Sequence, residues 1–181
     1  HRNESALLPR LRPGCTRLSQ GHDARSDLAR SARMPFRFAM DTDANAASRI
    51  TLRLASLRDL PRLRDWDEQP HVVASDPNDD WNWEEELTRA PDWREQLIAE
   101  LSGRPIAFIQ IIDPAREESH YWGNVPENLR AIDIWIGDAN DLSKGYGSQI
   151  MRLAIARCFA DPSVTSILID PLASNLRAHR F

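Results

Sequence analysis

The sequence predicts an α/β fold, a mixed central sheet flanked by helices. Three observations carry that expectation. Apolar residues alternate with polar ones over short runs, as in Ile50-Thr51-Leu52-Arg53-Leu54 and Ile132-Asp133-Ile134-Trp135-Ile136. Two such runs, 96–101 and 105–112, flank the turn Ser102-Gly103-Arg104 and read as an antiparallel hairpin. Between 145 and 158 the period changes to three and four, with Ile150, Met151, Ala154, Ile155 and Cys158 on one helical face. The order strand, helix, hairpin, strand, helix, strand, helix start gives an antiparallel front followed by a strand–helix–strand unit with a right-handed crossover.

The 181 residues divide unevenly. Residues 1–47 are expected to be a disordered basic extension, rich in Arg, Ser and Pro and without sustained apolar period; the folded domain is expected at 48–181. Residues 1–40 hold eight of the 23 basic and three of the 27 acidic side chains, so the remainder has 15 against 24 and a net charge of −9. An acidic body disfavours nucleic acid and favours a cationic ligand. The chain begins with His1, and the expectation is an over-extended reading frame or fusion remnant with the native start at Met34 or Met40. No run of about 18 apolar residues is present to span a membrane, and no secretory signal is evident. Cys15 and Cys158 sit in no metal or disulfide spacing, so no metal is expected and the compartment is expected to be the reducing cytoplasm.

Along the body, strand 50–54 leads into a helix capped by Ser56 with Asp59 three residues on, and Leu57, Leu60, Leu63 and Trp66 form its inward stripe. Residues 70–80 read as a loop carrying Asp76, Asp79 and Asp80, and 81–87 as a second short helix. Its acids Glu84, Glu85 and Glu86 suit the positive end of the helix dipole. Tryptophans interleaved with carboxylates in this stretch also make a wall for a polycation, through cation–π contact and charge. The hairpin ends at Pro114, and a polar stretch through 120–126 leads to the strand at 132–136. After the long helix, Asp161-Pro162 stops the chain, 166–170 reads as a buried strand broken by Pro171, and 175–181 as a helix start.

The chemistry concentrates between 130 and 157. Asp133 lies one residue out of phase with Ile132 and Ile134, which places it on the opposite sheet face. Leu142-Ser143-Lys144-Gly145-Tyr146-Gly147-Ser148 brings backbone N–H groups to a helix N-terminus with no side chain at 145 and 147, a cradle for phosphate oxygens to which Lys144 adds charge. A Rossmann fingerprint would need a third glycine where Ile150 stands, and a P-loop would need Gly-Lys-Ser/Thr; neither is present.

These pieces resemble the GNAT N-acetyltransferase superfamily, in particular its aminoglycoside 6′-N-acetyltransferase and siderophore-type branch. The resemblance rests on Ala131-Ile132-Asp133, Leu142 to Gly147, Asp161-Pro162-Ser163-Val164, Ile169-Asp170-Pro171 and Ser174-Asn175-Leu176-Arg177-Ala178. It implies acetyl-CoA as co-substrate, with Lys144, Gly145, Tyr146, Gly147 and Ser148 at the pyrophosphate, the backbone of Trp135 and Ile136 beside the pantetheine arm, and Asn175 in contact with the cofactor. Leu142 stands where the superfamily usually has Gln or Arg, a subfamily character. Asp133 is the implied catalytic base or amine anchor, because an amine must lose its proton before it attacks a thioester. Asp170 is a second, weaker catalytic candidate. Trp66, Asp67, Trp83 and Asp133 are the substrate-binding candidates.

The acceptor is then a small, cationic primary amine such as an aminoglycoside, in competition with a hydroxylysine-type siderophore precursor and a protein amine. The alternative class is a non-catalytic CoA-binding module. The resemblance also implies that a tyrosine and two further strands would follow Phe181, so the acetyltransferase domain is expected to be incomplete at its C-terminus: the chain is a fragment, the missing strands come from a partner chain, or the product is defective. A homodimer is the partner expectation.

Overall fold

The structure, a computed structural model, describes residues 49–75, 77, 81–176 and 178–180. The expected basic extension at 1–47, the loop acids Asp76, Asp79 and Asp80, and Arg177 and Phe181 lie outside the described residues. Nine elements follow in order: β1 (Ile50–Leu54), α1 (Leu60–Asp67), α2 (Pro70–Ser75), α3 (Trp83–Thr88), β2 (Arg94–Leu101), β3 (Arg104–Ile112), β4 (Leu129–Ile136), α4 (Tyr146–Cys158) and β5 (Ser166–Leu168). They build a mixed sheet in the order β1-β2-β3-β4-β5, antiparallel except for the parallel pair β4–β5. α4 is the crossover between those two parallel strands.

Strand alternation sorts the sheet into two apolar faces. On one, Leu97, Ala99, Ile109, Ile111 and Ile132 pack on Ile150, Met151, Ala154 and Cys158 of α4. On the other, Ile98 and Phe108 pack with Leu63, Trp66 and Trp83 of the front helices, and Trp135 joins them. β3 is buried on both faces from Ile106 to Ile112, which is why its sequence runs apolar almost without a break. Each fully buried large side chain there contributes roughly 1.5–3 kcal/mol.

Local chemistry sets the joints. Ser102 (φ 51°) and Gly103 (φ 83°) both take left-handed backbone, as a two-residue hairpin turn matched to strand twist requires. The Asp59 carboxylate accepts from the Ser56 N–H (2.9 Å) and Oγ (3.1 Å) and receives two bonds from Arg53 (2.7 and 2.8 Å). Burial pushes the Asp59 carboxyl up, but the Arg53 and Ser56 bonds outweigh it and hold the group below the usual carboxylate range. Arg53 Nε also binds Glu100 at 2.7 Å, tying the first helical turn to β1 and β2.

Two elements differ from expectation. Residues 70–75, read as loop, form α2: Pro70 stands at its first position, where the missing N–H costs nothing, and the Gln69 carbonyl accepts from Val72 and Val73 at 2.9 and 3.0 Å. β5 stops at Leu168, and Ile169 and Asp170 lie beyond the strand.

α1 closes over the end of β4. A Cβ at Gly137 would overlap the indole ring of Trp66, which is only 5% exposed. Gly137→Ala is therefore expected to destabilise the fold by roughly 1–3 kcal/mol, read as a lower denaturation midpoint; an unchanged midpoint would show that the indole is not held there.

Candidate active site

The sheet opens between β4 and β5. Their parallel ladder runs from Leu129↔Ser166 to Ala131↔Leu168 and stops, while β4 continues to Ile136 still paired with β3. The direction of the remaining backbone groups follows from two bonds. Gly137 N–H donates to the Ile106 carbonyl at 2.9 Å, so odd-numbered residues of β4 turn their backbone toward β3; Thr165 N–H donates to the Asn128 carbonyl at 2.9 Å, so even-numbered ones turn toward β5. Ile134 and Ile136 therefore present N–H and C=O groups to the gap. His71 Nε2, on α2, lies 2.8 Å from the Ile136 carbonyl and donates to it.

A cleft of about 260 Å³ occupies the gap. Asp67 from α1, Asp133 from β4 and Asp170 from the segment after β5 reach its wall, with Trp81, Met151 and Asn175. Asp133 takes the face opposite Ile132 and Ile134, and Gln110 Nε2 donates to its Oδ2 at 3.3 Å. Asp67 Oδ2 accepts a short bond from Trp83 Nε1. Asp170 Oδ2 is buried without a hydrogen-bond partner among the described residues. Three carboxylates on one partly apolar cleft concentrate negative potential where a cation would enter. Asn175 accepts from the Ala178 N–H at 3.0 Å through its Oδ1, which fixes the turn at 178–180 against the cleft.

Two expected substrate contacts are core residues instead. Trp83 is 1% exposed, stacked on Trp81 with ring centroids 4.6 Å apart, and Trp66 lies over Gly137. Their rings fill the space between helices and sheet, and the tryptophans that line the cleft are Trp81 and Trp135, with ring centroids 5.7 Å apart. The backbone N–H and C=O of Trp135 turn toward β3, and those of its neighbours Ile134 and Ile136 face the gap.

The glycine turn stands at the C-terminal end of β4 and does not itself line the cleft. Gly145 is the N-cap of α4 with φ 78°, and nothing lies within 4 Å of where its Cβ would be. The first-turn N–H groups of Tyr146, Gly147 and Ser148 have no intrahelical acceptor, as at any helix start, and point out of it. From Tyr146 to Met151 on the cleft wall is about 7.5 Å along the helix. The turn is anchored by Asp141, 4% exposed, whose carboxylate takes two bonds from Arg104 (2.7 and 3.0 Å) and lies 3.5 Å from Lys144 Nζ. The Arg104 bonds, working against burial and aided by Lys144, hold the Asp141 carboxyl below its usual range. An open left-handed turn, free N–H groups and an adjacent ammonium fit a pyrophosphate, and an unpaired strand side fits an extended amide chain.

Residues 56–181 match the family described as the acetyltransferase (GNAT) domain. The chain belongs to the GNAT acetyltransferase family. It is 32% identical over 150 residues to aminoglycoside N(6′)-acetyltransferase type 1 of Klebsiella pneumoniae, covering 75% of this chain and 72% of that protein. It is 27% identical over 143 residues to the lysine N-acyltransferase MbtK of Mycobacterium tuberculosis, covering 71% of this chain and 64% of that protein. A crystal structure of the aminoglycoside acetyltransferase AAC(6′)-Ib in complex with coenzyme A and kanamycin superposes with a TM-score of 0.66 at 32% identity, over 73% of this chain and 80% of that one. The chain is thus of the acyl-CoA-dependent N-acyltransferase class, with acetyl-CoA as co-substrate. Among the described residues no group of His, Cys, Asp and Glu could hold a metal ion, and no helix is long and apolar enough to cross a membrane.

For this GNAT domain, sequence reading missed His71 and Gln110, and of the tryptophans in 81–87 it named Trp83 as the contact where Trp81 lines the cleft. His71 had no signal. Gln110 had one, an amide inside an otherwise apolar strand. Asp141→Asn should loosen the turn, raising the KM for acetyl-CoA more than it lowers kcat. Because the Asp141 carboxyl is depressed, the stability it contributes is present above the unfolded value near 4 and is lost as pH falls through the folded one. The gap in melting temperature between the parent and Asp141→Asn is therefore expected at pH 7 and should close below about pH 4; a gap independent of pH would contradict the ion pair.

Proposed function

We propose that this domain transfers an acetyl group from acetyl-CoA to a primary amine of a small polycationic acceptor, an aminoglycoside being the best-supported example, by direct attack in a ternary complex. The observation that carries the reading is the convergence of Asp67, Asp133 and Asp170 on a cleft beside the open side of β4. Similarity to aminoglycoside N-acetyltransferases over three quarters of the chain supports the acceptor class.

In this reading Gly145, Tyr146, Gly147 and Ser148 offer N–H groups to the pyrophosphate and Lys144 its charge. The Ile134 and Ile136 backbone groups align the pantetheine arm, and Asn175 closes the cleft against it. Acetyl-CoA, when bound, would supply the thioester carbonyl carbon that bonds to the amine nitrogen as its C–S bond breaks, coenzyme A leaving as a thiolate that is neutralised, directly or through water, by the proton the new amide nitrogen gives up. Asp133 first attracts the ammonium and then accepts its proton, directly or through water, so that a neutral amine attacks. Asp170 and Asp67 hold neighbouring ammonium groups, and Trp81 offers a ring face to the same cation. Trp66 and Trp83 act behind this surface by fixing Gly137 and Asp67. The unpaired Cys158 thiol suits a reducing cytoplasm.

The lysine N-acyltransferase relatives favour one other acceptor, a lysine-derived amine. Thiol release from acetyl-CoA with kanamycin, a polyamine and hydroxylysine separates the two. Kanamycin-dependent release is expected to dominate, and dominance of hydroxylysine would reverse the assignment. Asp133→Asn should lower kcat by roughly 10²–10⁴-fold while coenzyme A affinity stays close to the parent's; unchanged turnover would remove Asp133 from the mechanism.

A further inference from the structure

The face of the sheet that carries Asp133 holds a polar row inside an apolar layer. Register aligns Gln96 on β2, Gln110 on β3 and Asp133 on β4 directly across three strands, next to the apolar row Ile98, Phe108 and Trp135. Gln110 is 5% exposed, and a buried amide is costly unless its groups are matched. Its Nε2 donates to Asp133 Oδ2, while its Oε1 is buried and unpartnered among the described residues. The Nε2 of Gln96 is likewise buried and unpartnered among them. The complementary groups are thus an acceptor on Gln110 and a donor on Gln96.

The backbone brings these two amides together. The Gly137–Ile106 bond sets the parity by which Gln110 turns its backbone toward Asp133, and the Gln96 carbonyl accepts from the Ala55 N–H at 2.9 Å on the β1 side. Gln96 and Gln110 therefore face each other as a non-hydrogen-bonded pair, the arrangement in which opposite side chains of antiparallel strands come closest. A chain from Gln96 Nε2–H to Gln110 Oε1 and from Gln110 Nε2–H to the Asp133 carboxylate would satisfy both amides.

We propose that Gln110, backed by Gln96, is a positioning residue that fixes the rotamer of Asp133 and sets its basicity for proton acceptance. Its catalytic meaning rests on the role given to Asp133 above. An amide donor to a carboxylate stabilises the anion, and a second amide polarising the first strengthens that bond. The bond would hold the Asp133 carboxylate against the cleft that it lines. Other charges face this row. Asp67 and Asp170 share the cleft with Asp133, and Arg94, paired with Glu86 at 2.6 Å, lies two residues from Gln96 on the same strand face. All four are retained in the variants below.

A carbon-13 NMR titration of the Asp133 carboxyl tests this without an acceptor. Gln110→Leu should raise the Asp133 pKa by about one unit. The acid limb of kcat/KM with kanamycin should move up in pH by the same amount, with coenzyme A affinity unchanged. Gln96→Leu, which leaves the direct donor in place and carries the test if Gln110→Leu does not fold, should give a smaller shift of about a third of a unit. An Asp133 titration indifferent to both substitutions overturns the proposal, and a lower melting temperature without a titration shift would mark the row as structural only. A shifted titration together with full turnover by Asp133→Asn would instead leave the positioning intact and sink the base assignment.

Discussion

β4 and β5 pair for three residues and then part, and the rest of the site follows from that parting. A strand in mid-sheet needs partners for its N–H and C=O groups on both sides. β4 keeps them on the β3 side to its end and, among the described residues, has no strand on the other from Ile132 onward. β3, buried on both faces, pairs with β4 along the opening, while the segment after β5, from Ile169 through Pro171 to Ala178, leaves the ladder and forms the opposite wall of the cleft. Such a one-sided strand is a template for an extended ligand backbone. α4, leaving from the end of the same strand, sets a phosphate-sized turn at the far end of that template.

The sheet's alternation then assigns the chemistry. One face of β4 sends Ile132 and Ile134 into the packing under α4, and the other sends Asp133 and Trp135 toward the front helices. A carboxylate therefore sits beside the open edge without disturbing the α4 core. The front layer supplies what the open edge does not: α1 brings Asp67, Trp83 fixes it from behind, and α2 places His71 on the Ile136 carbonyl. In the proposed reading this separates holding the co-substrate, by backbone, from handling a cation, by carboxylates and Trp81.

Most of the framework was legible because it is written in local periods. β1, the hairpin with its Ser102-Gly103 turn, the Ser56–Asp59 cap and the α4 stripe each declare themselves within a dozen residues. α2 did not, since Pro70-His71-Val72-Val73-Ala74-Ser75 is too short to show a helical period. At the site, Asp133 stood out by strand phase alone. The tryptophans misled, because whether Trp81 or Trp83 faces inward depends on how the short α3 docks, and that is decided by Phe108 and Trp135 far along the chain. The outward turn of Ile134 rather than Trp135 required knowing which side of β4 was already paired. The Gln96–Gln110–Asp133 row is a matter of register between strands, which no single stretch of sequence encodes.

If the open side of β4 and the Gly145 turn act as one seat for the co-substrate, both respond to it together. Backbone amide hydrogen exchange with and without coenzyme A reads this out. Slowed exchange is expected at Ile134 and Ile136 together with Tyr146, Gly147 and Ser148, with little change in β1 or β2. Protection confined to one of the two groups, or appearing only outside both, would contradict it.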